Sequence, residues 1–260
     1  MTRIALGIEY DGSGFSGWQR QAHCTGVQEV LERALSRVAD HTVETVCAGR
    51  TDAGVHATAQ VVHFDTSAER SPRAWTLGTN CHLPPEVCVT WAQPVVDDFH
   101  ARYSATARSY RYIIQNRDVR PGLLRGRVAW DHWPLDAEGM AAAARCLIGE
   151  HDFSSFRAQG CQARHPRREI LAIDVQRHGE FIHLDVTANA FLHHMVRNIA
   201  GTLMVVGRGE QPVGWVREVL EARDRTAAGI TAAAAGLYLV QVHYPERFGV
   251  PLAARVPRFG

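Results

Sequence analysis

Thr25-Gly26-Val27-Gln28-Glu29-Val30-Leu31-Glu32-Arg33-Ala34-Leu35-Ser36-Arg37-Val38 decides the fold. Val27, Val30, Leu31, Ala34, Leu35 and Val38 recur at helical spacing, and Thr25 followed three residues later by Gln28 has the form of a capping box, so residues 26–39 form an amphipathic helix. On either side the period changes. Runs over 4–10, 43–48, 58–65 and 87–96 are strand-like, and Ser71-Pro72 opens a second, short helix, because proline suits a first helical turn. The order is β-α-β-β-α-β. From Thr106 it returns: a strand over 106–115, a helix over 136–147, strands over 169–177 and 180–187, helices over 190–206 and 213–222, and a strand over 237–243. The repeat predicts an α+β fold of two ferredoxin-like halves, 1–105 and 106–248, with a tail over 249–260. In each half an antiparallel sheet carries its helices on one face, which leaves the other face, or a cleft between the halves, free to bind.

Composition narrows the chemistry. A length of 260 residues with 46% hydrophobic and 21% charged residues suits one large or two small globular domains. No apolar run approaches the roughly eighteen residues of a membrane helix, and Met1-Thr2-Arg3 leads straight into the strand over 4–10 without a signal-peptide core, so a cytoplasmic protein with no membrane partner is expected. The six cysteines form no C-x-x-C pair and are widely dispersed, which argues for reduced thiols rather than disulfides or a zinc ribbon. All 28 basic residues are arginine. Schiff-base and phosphate-loop lysine chemistries are therefore excluded. Charge is also uneven: residues 1–101 hold 7 Arg against 12 acids, 102–168 hold 12 against 6, and 169–260 hold 9 against 9. A basic middle segment of planar, multidentate donors suits phosphates.

Cys47-Ala48-Gly49-Arg50-Thr51-Asp52-Ala53-Gly54-Val55-His56-Ala57-Thr58 places a carboxylate on a glycine-flanked turn between two strands. Such a corner holds Asp52 where a substrate can reach it, although an arbitrary Asp-Ala-Gly turn merely binds its own backbone. Gly12-Ser13-Gly14-Phe15-Ser16-Gly17 satisfies G-x-G-x-x-G but does not open a helix, since residues 18–24 intervene, so it reads not as a dinucleotide fingerprint but as a loop closing over the site or a glycine-rich turn with Phe15 and Trp18 packed inward. His193 and His194, read as neighbours on a helix, point about 100° apart and cannot easily chelate one ion, and no H-E-x-x-H set occurs. Arg197 lies among Met195, Val196 and Ile199 and needs a carboxylate, for which Asp52 and Asp185 are both candidates. Tyr103, Tyr110 and Tyr112 are threaded by Arg102, Arg108 and Arg111, a mixture that suits base stacking beside phosphate contacts as well as a half-buried strand. The loop over 159–168, with Arg164, Arg167 and Arg168, is longer than a connection requires.

Six motifs in order then resemble the tRNA pseudouridine synthase A family over nearly the whole chain. They are Tyr10-Asp11-Gly12 with Gly17-Trp18-Gln19; Gly49 to Ala57; Ala107-Arg108-Ser109-Tyr110-Arg111-Tyr112; Gly160-Cys161-Gln162-Ala163; Phe191-Leu192-His193-His194-Met195-Val196-Arg197-Asn198-Ile199; and Gly236-Leu237-Tyr238-Leu239. One departure stands out, because Thr231-Ala232-Ala233-Ala234-Ala235 lacks the proline often found before Gly-Leu-Tyr. The resemblance implies conversion of uridine to pseudouridine at positions 38–40 of the tRNA anticodon stem-loop, without metal or nucleotide cofactor, by a homodimer. It implies Asp52 as nucleophile and Arg197 as the arginine that pairs with that carboxylate. Tyr110 would stack on the flipped uracil and remove the C5 proton, while Arg50 would hold the flipped nucleotide and its phosphates. Asp52, Tyr110 and Arg197 would meet in the cleft between the halves, with Arg102, Arg164 and Arg168 as further RNA contacts. The alternatives are a non-catalytic RNA-binding module and a nicotinamide-dependent enzyme. Asp52 opposes the first, because a pure binder gains nothing from an acid that faces phosphates.

Overall fold

The computed structural model describes residues 1–251 and 256–259, so part of the tail expected over 249–260 lies outside the described residues. In chain order the first elements are β1 (Thr2–Tyr10), α1 (Val27–Ala39), β2 (Val46–Cys47), β3 (His56–Thr66), β4 (Val87–Val95), β5 (Ala107–Asn116), β6 (Ala129–Asp131) and α2 (Ala137–Ala144). They are followed by β7 (Gly149–Asp152), β8 (Arg167–His178), β9 (Phe181–Ala188), α3 (Met195–Gly207), α4 (Trp215–Ala222) and β10 (Leu237–His243). Met1–Ala107 and the segment that starts at Tyr238 form one unit, and Arg108–Leu237 forms a second. The halves expected at 1–105 and 106–248 thus differ from the observed units at the last strand. β10 runs parallel to β3, with Tyr238 opposite His56 and Leu239 opposite Ala57. A hydrophobic run reads alike whichever sheet it joins.

In the first unit the strand order is β4-β1-β3-β10, and β1 pairs antiparallel with both β3 and β4. Helix α1 buries Val27, Leu31, Ala34 and Leu35, the stripe that its period announces. Its start corrects the capping box. The N-cap is Gly26 and makes no side-chain cap, because the Val27 and Gln28 N–H groups donate to the carbonyls of Gly17 (3.1 Å) and Trp18 (2.9 Å). Those are the donors that a dinucleotide phosphate would need, and they are already taken. Gln28 is spent elsewhere: its side chain accepts from Gln19 Nε2 and Arg20 N and donates to Glu32 and to the Thr45 carbonyl.

The strand expected over 43–48 shrinks to Val46–Cys47 for a physical reason. Val43 N donates to Ser36 Oγ (2.9 Å) and Thr45 N to Glu32 Oε1 (2.8 Å), so these backbone donors are used by side chains of α1 instead of a ladder. Glu32, only 5% exposed, also accepts from the Thr45 hydroxyl and lies 3.3 Å from Arg20. A buried carboxylate thus ties α1 to the segment that leads into the Asp52 turn. The helix that Ser71-Pro72 opens is present, wound with π-type turns over Ala74–Gly78.

In the second unit the strand order is β5-β9-β8-β7, all antiparallel, with β6 parallel to β5. Helix α2 packs on β8 and on α3 and α4. The helix expected from residue 190 starts only at Met195, because His194 takes a left-handed conformation (φ 61°) that no α-helix continues. His193 and His194 therefore precede the helix, and their rings lie 4.0 Å apart rather than diverging around it.

Candidate active site

The Asp52 turn is fastened from several sides within the first unit. Gln60 Nε2 donates to the Gly49 carbonyl (2.6 Å), Trp18 N to the Thr51 carbonyl (3.0 Å), and Val55 N to the Asp52 carbonyl (3.1 Å). The Tyr10 and Thr51 hydroxyls share a buried hydrogen bond of 2.7 Å. Gly54 has φ 77°, the left-handed geometry that its place after Asp52-Ala53 requires. Asp52 itself is half-buried and Arg50 is exposed. The turn is therefore rigid at the backbone and accessible at the side chain.

The glycine-rich loop after β1 is part of this clamp. Gly12 N donates to His56 Nδ1 (3.0 Å), and the His56 ring, 2% exposed, stacks on Tyr238 at 4.6 Å. A Cβ on Gly12 would come within 1.9 Å of the Val55 carbonyl oxygen, whereas one on Gly14 would meet nothing within 4 Å. Gly12→Ala should therefore push the Asp52 turn aside, costing about 1–3 kcal/mol of stability and part of the activity, while Gly14→Ala should be nearly neutral. Urea midpoints and turnover of the two variants check this; equal behaviour would show that the turn does not depend on Gly12.

Half-buried Cys47, at the end of β2, has its thiol pushed up to about 12 by burial, against the pull of Arg50 and Arg102. The charges of Arg50 and Arg102, two of the four arginines expected to meet RNA, thus reach the strand that precedes the Asp52 turn.

The second unit carries the other two residues. Tyr110 on β5 is 8% exposed and packs edge-on against Phe191 at 4.9 Å. Two positions on, Tyr112 is fully buried and donates to the Ala233 carbonyl (2.8 Å). Burial pushes its phenol pKa well up, and the nearby Arg197 charge pulls it partly back. Arg197 Nε donates to the Ala232 carbonyl (2.9 Å), and Ala232 N donates to the Arg197 carbonyl (3.1 Å). The alanine-rich stretch is thus a backbone clamp on Tyr112 and Arg197. Fully buried Asn198 braces it, donating to the Phe156 carbonyl (2.8 Å) and accepting from the Thr231 hydroxyl (2.7 Å) and Arg225 (3.1 Å). Asp185 is held by Arg111 at 2.6–2.7 Å in a two-pronged ion pair. That accounts for Asp185, one of the two carboxylates considered for Arg197.

The loop over 159–168 is stapled by a residue that its sequence did not single out. Arg157 Nη2 donates to the carbonyls of Cys161 (2.5 Å) and Ala163 (2.9 Å). Arg168 is turned back onto the carbonyls of His165 (3.1 Å) and Arg167 (2.5 Å), while Arg164 is exposed. If the loop meets RNA, Arg164→Ala should lower the slope of log K against log salt by about 0.7–0.9, with a smaller change for Arg168→Ala. Salt titrations of tRNA binding measure both slopes; an unchanged slope for Arg164→Ala would return that residue to the solvated surface.

Comparison with known proteins gives the family of the chain. The family described as tRNA pseudouridine synthase matches residues 7–104 and 143–245. A protein named tRNA pseudouridine synthase A from Shewanella amazonensis is 60% identical over 257 residues, covering 99% of this chain and 98% of its own. Relatives of the same name are 57% identical in Escherichia fergusonii, covering 99% of this chain and 95% of theirs, and in Vibrio cholerae, covering 96% and 94%. Among solved structures, a chain of the archaeal box H/ACA sRNP Nop10-Cbf5 complex aligns with a TM-score of 0.37 at 11% identity, over 91% of this chain and 47% of that one. The chain belongs to the tRNA pseudouridine synthase A family.

Proposed function

We propose that this protein isomerises uridine to pseudouridine in tRNA, at positions 38–40 of the anticodon stem-loop, acting as a homodimer in the cytoplasm. The observation that carries the reading is the Asp52 turn: a carboxylate on a backbone fastened by Tyr10, Trp18, Gln60 and the Gly12 loop, in a chain of this family. The reaction breaks N1–C1′, turns the uracil and joins C5 to C1′. The proton on C5 leaves and N1 gains one, so atoms balance without an oxidant or reductant. While the base is detached, a carboxylate beside it supplies a covalent or electrostatic handle, by addition to C1′, by addition to C6, or by assisting a glycal. Tyr110 stacks on the extruded uracil and takes the C5 proton, Arg197 aims the Asp52 carboxylate, and Arg50 holds the extruded nucleotide, with Arg102, Arg164 and Arg168 on the phosphates.

The test is to incubate the protein with an unmodified tRNA transcript and map pseudouridine by carbodiimide-dependent stops in reverse transcription. Pseudouridine confined to 38–40 is the expected result. Pseudouridine elsewhere would correct the position, and its absence throughout would overturn the activity.

The second reading, a non-catalytic RNA-binding module, has only the basic segment over 102–168 in its favour. No helix among the described residues is long and apolar enough to cross a membrane.

A further inference from the structure

Tyr103 is 77% exposed, yet it is not a loose side chain. Its neighbours Phe99 and Ala101 are fully buried, and Ala101 is tied through its N–H to His63 Nδ1 (3.1 Å) and through its carbonyl to the Tyr244 hydroxyl (2.6 Å). The turn over 100–104 is closed by His100 N donating to Ser104 Oγ and Ser104 N to the His100 carbonyl, both 2.9 Å. His100 Nδ1 accepts from Arg102 N and Tyr103 N, each at 3.1 Å. Burial, with the charges of Arg3 and Arg102, lowers the His100 pKa, which keeps that nitrogen an acceptor near neutral pH.

On this turn the rings form a stack. Tyr103 lies on His100 with centroids 4.3 Å apart and planes 29° apart, and His100 lies against His63 at 4.8 Å. The Arg102 guanidinium is 5.6 Å from the Tyr103 centroid. Two of the nearby acids are engaged: Asp65 pairs with Arg3 and Asp98 with Arg247. Arg102 also acts with Arg50 on Cys47, at the end of the strand that leads to the Asp52 turn. A braced, solvent-facing aromatic ring beside an arginine has the chemistry that holds an unstacked nucleobase and its phosphate. Its ordering cost is met before any ligand arrives.

We propose that Tyr103, backed by His100 and flanked by Arg102, is a stacking platform for an unpaired tRNA nucleobase other than the one that reacts. The proposal rests on the reading of tRNA as substrate. Stacking is sequence-tolerant, so the platform positions the loop rather than choosing the uridine.

The experiment uses the full chain and an anticodon stem-loop RNA, with a series of RNAs each lacking one unpaired base. Binding is read directly, so a failure of turnover, which would sink the proposed activity, is distinguishable from a failure of the platform. Tyr103→Ala should weaken binding about tenfold, Tyr103→Phe should stay within about twofold of the parent, and the salt slope should not change, because a stack and not an ion pair is lost. One abasic RNA should bind the parent and Tyr103→Ala alike, identifying the stacked base by non-additivity. Equal binding of the parent and Tyr103→Ala to the intact RNA would overturn the proposal. So would a difference that persists on every abasic RNA, or a change in sedimentation of the free protein, which would assign Tyr103 to a contact with a second copy.

Discussion

Asp52→Ala is expected to lower the single-turnover rate of pseudouridine formation at least about a thousandfold while tRNA affinity stays close to that of the parent. The reason is a division of labour on the turn. Its shape is held by backbone groups of residues 49, 51, 52 and 55 and by the Tyr10–Thr51 hydroxyl pair, none of which uses the Asp52 carboxylate. Removing that carboxylate leaves those bonds in place and takes away the group that does the chemistry. Removal of one negative charge also does nothing to weaken phosphate binding. Asp52→Asn should behave in the same way, since an amide keeps the shape without the nucleophile. Filter binding beside rapid-quench kinetics measures both properties; appreciable turnover by Asp52→Ala would remove the residue from the reaction.

Tyr110→Phe is expected to cost about 10²- to 10⁴-fold in rate, the usual range for a lost acid–base group, again with little change in affinity. Phenylalanine keeps the ring that packs edge-on against Phe191 and keeps a stacking face. Only the hydroxyl disappears, so the reaction should stall at deprotonation of C5. Tyr112→Phe offers a contrast, because its hydroxyl is fully buried on the Ala233 carbonyl. That change should cost about 0.5–1.5 kcal/mol of stability, the usual net value of one hydrogen bond. Rapid-quench rates and denaturation midpoints separate the two tyrosines. If Tyr110→Phe turned over normally, its role would reduce to packing.

What the sequence disclosed and what it withheld divide along a physical line. Periodicity located α1 to within a residue and found the strands around it, because burial of one face leaves its mark on the side chains themselves. The turn at 49–57 was legible because glycines flank Asp52 and mark a turn, as the left-handed Gly54 bears out. Features built from backbone groups were silent. The carbonyls of Gly17 and Trp18 that finish α1, and those of Ala232 and Ala233 that hold Arg197 and Tyr112, impose almost no demand on residue type. The same holds for the early end of the strand at Val46, which depends on where Ser36 and Glu32 direct their oxygens. The left-handed His194 broke a helix that its neighbours' composition favoured. A strand such as β10 carries no label for the sheet that it will join.

The most direct measurement is tritium release from tRNA labelled at uridine C5, followed together with pseudouridine formation, on protein dialysed against a chelator and given no nucleotide. One tritium should be released for each pseudouridine formed, with full activity on prefolded tRNA. Binding of tRNA without any release would contradict it and leave an RNA-binding module.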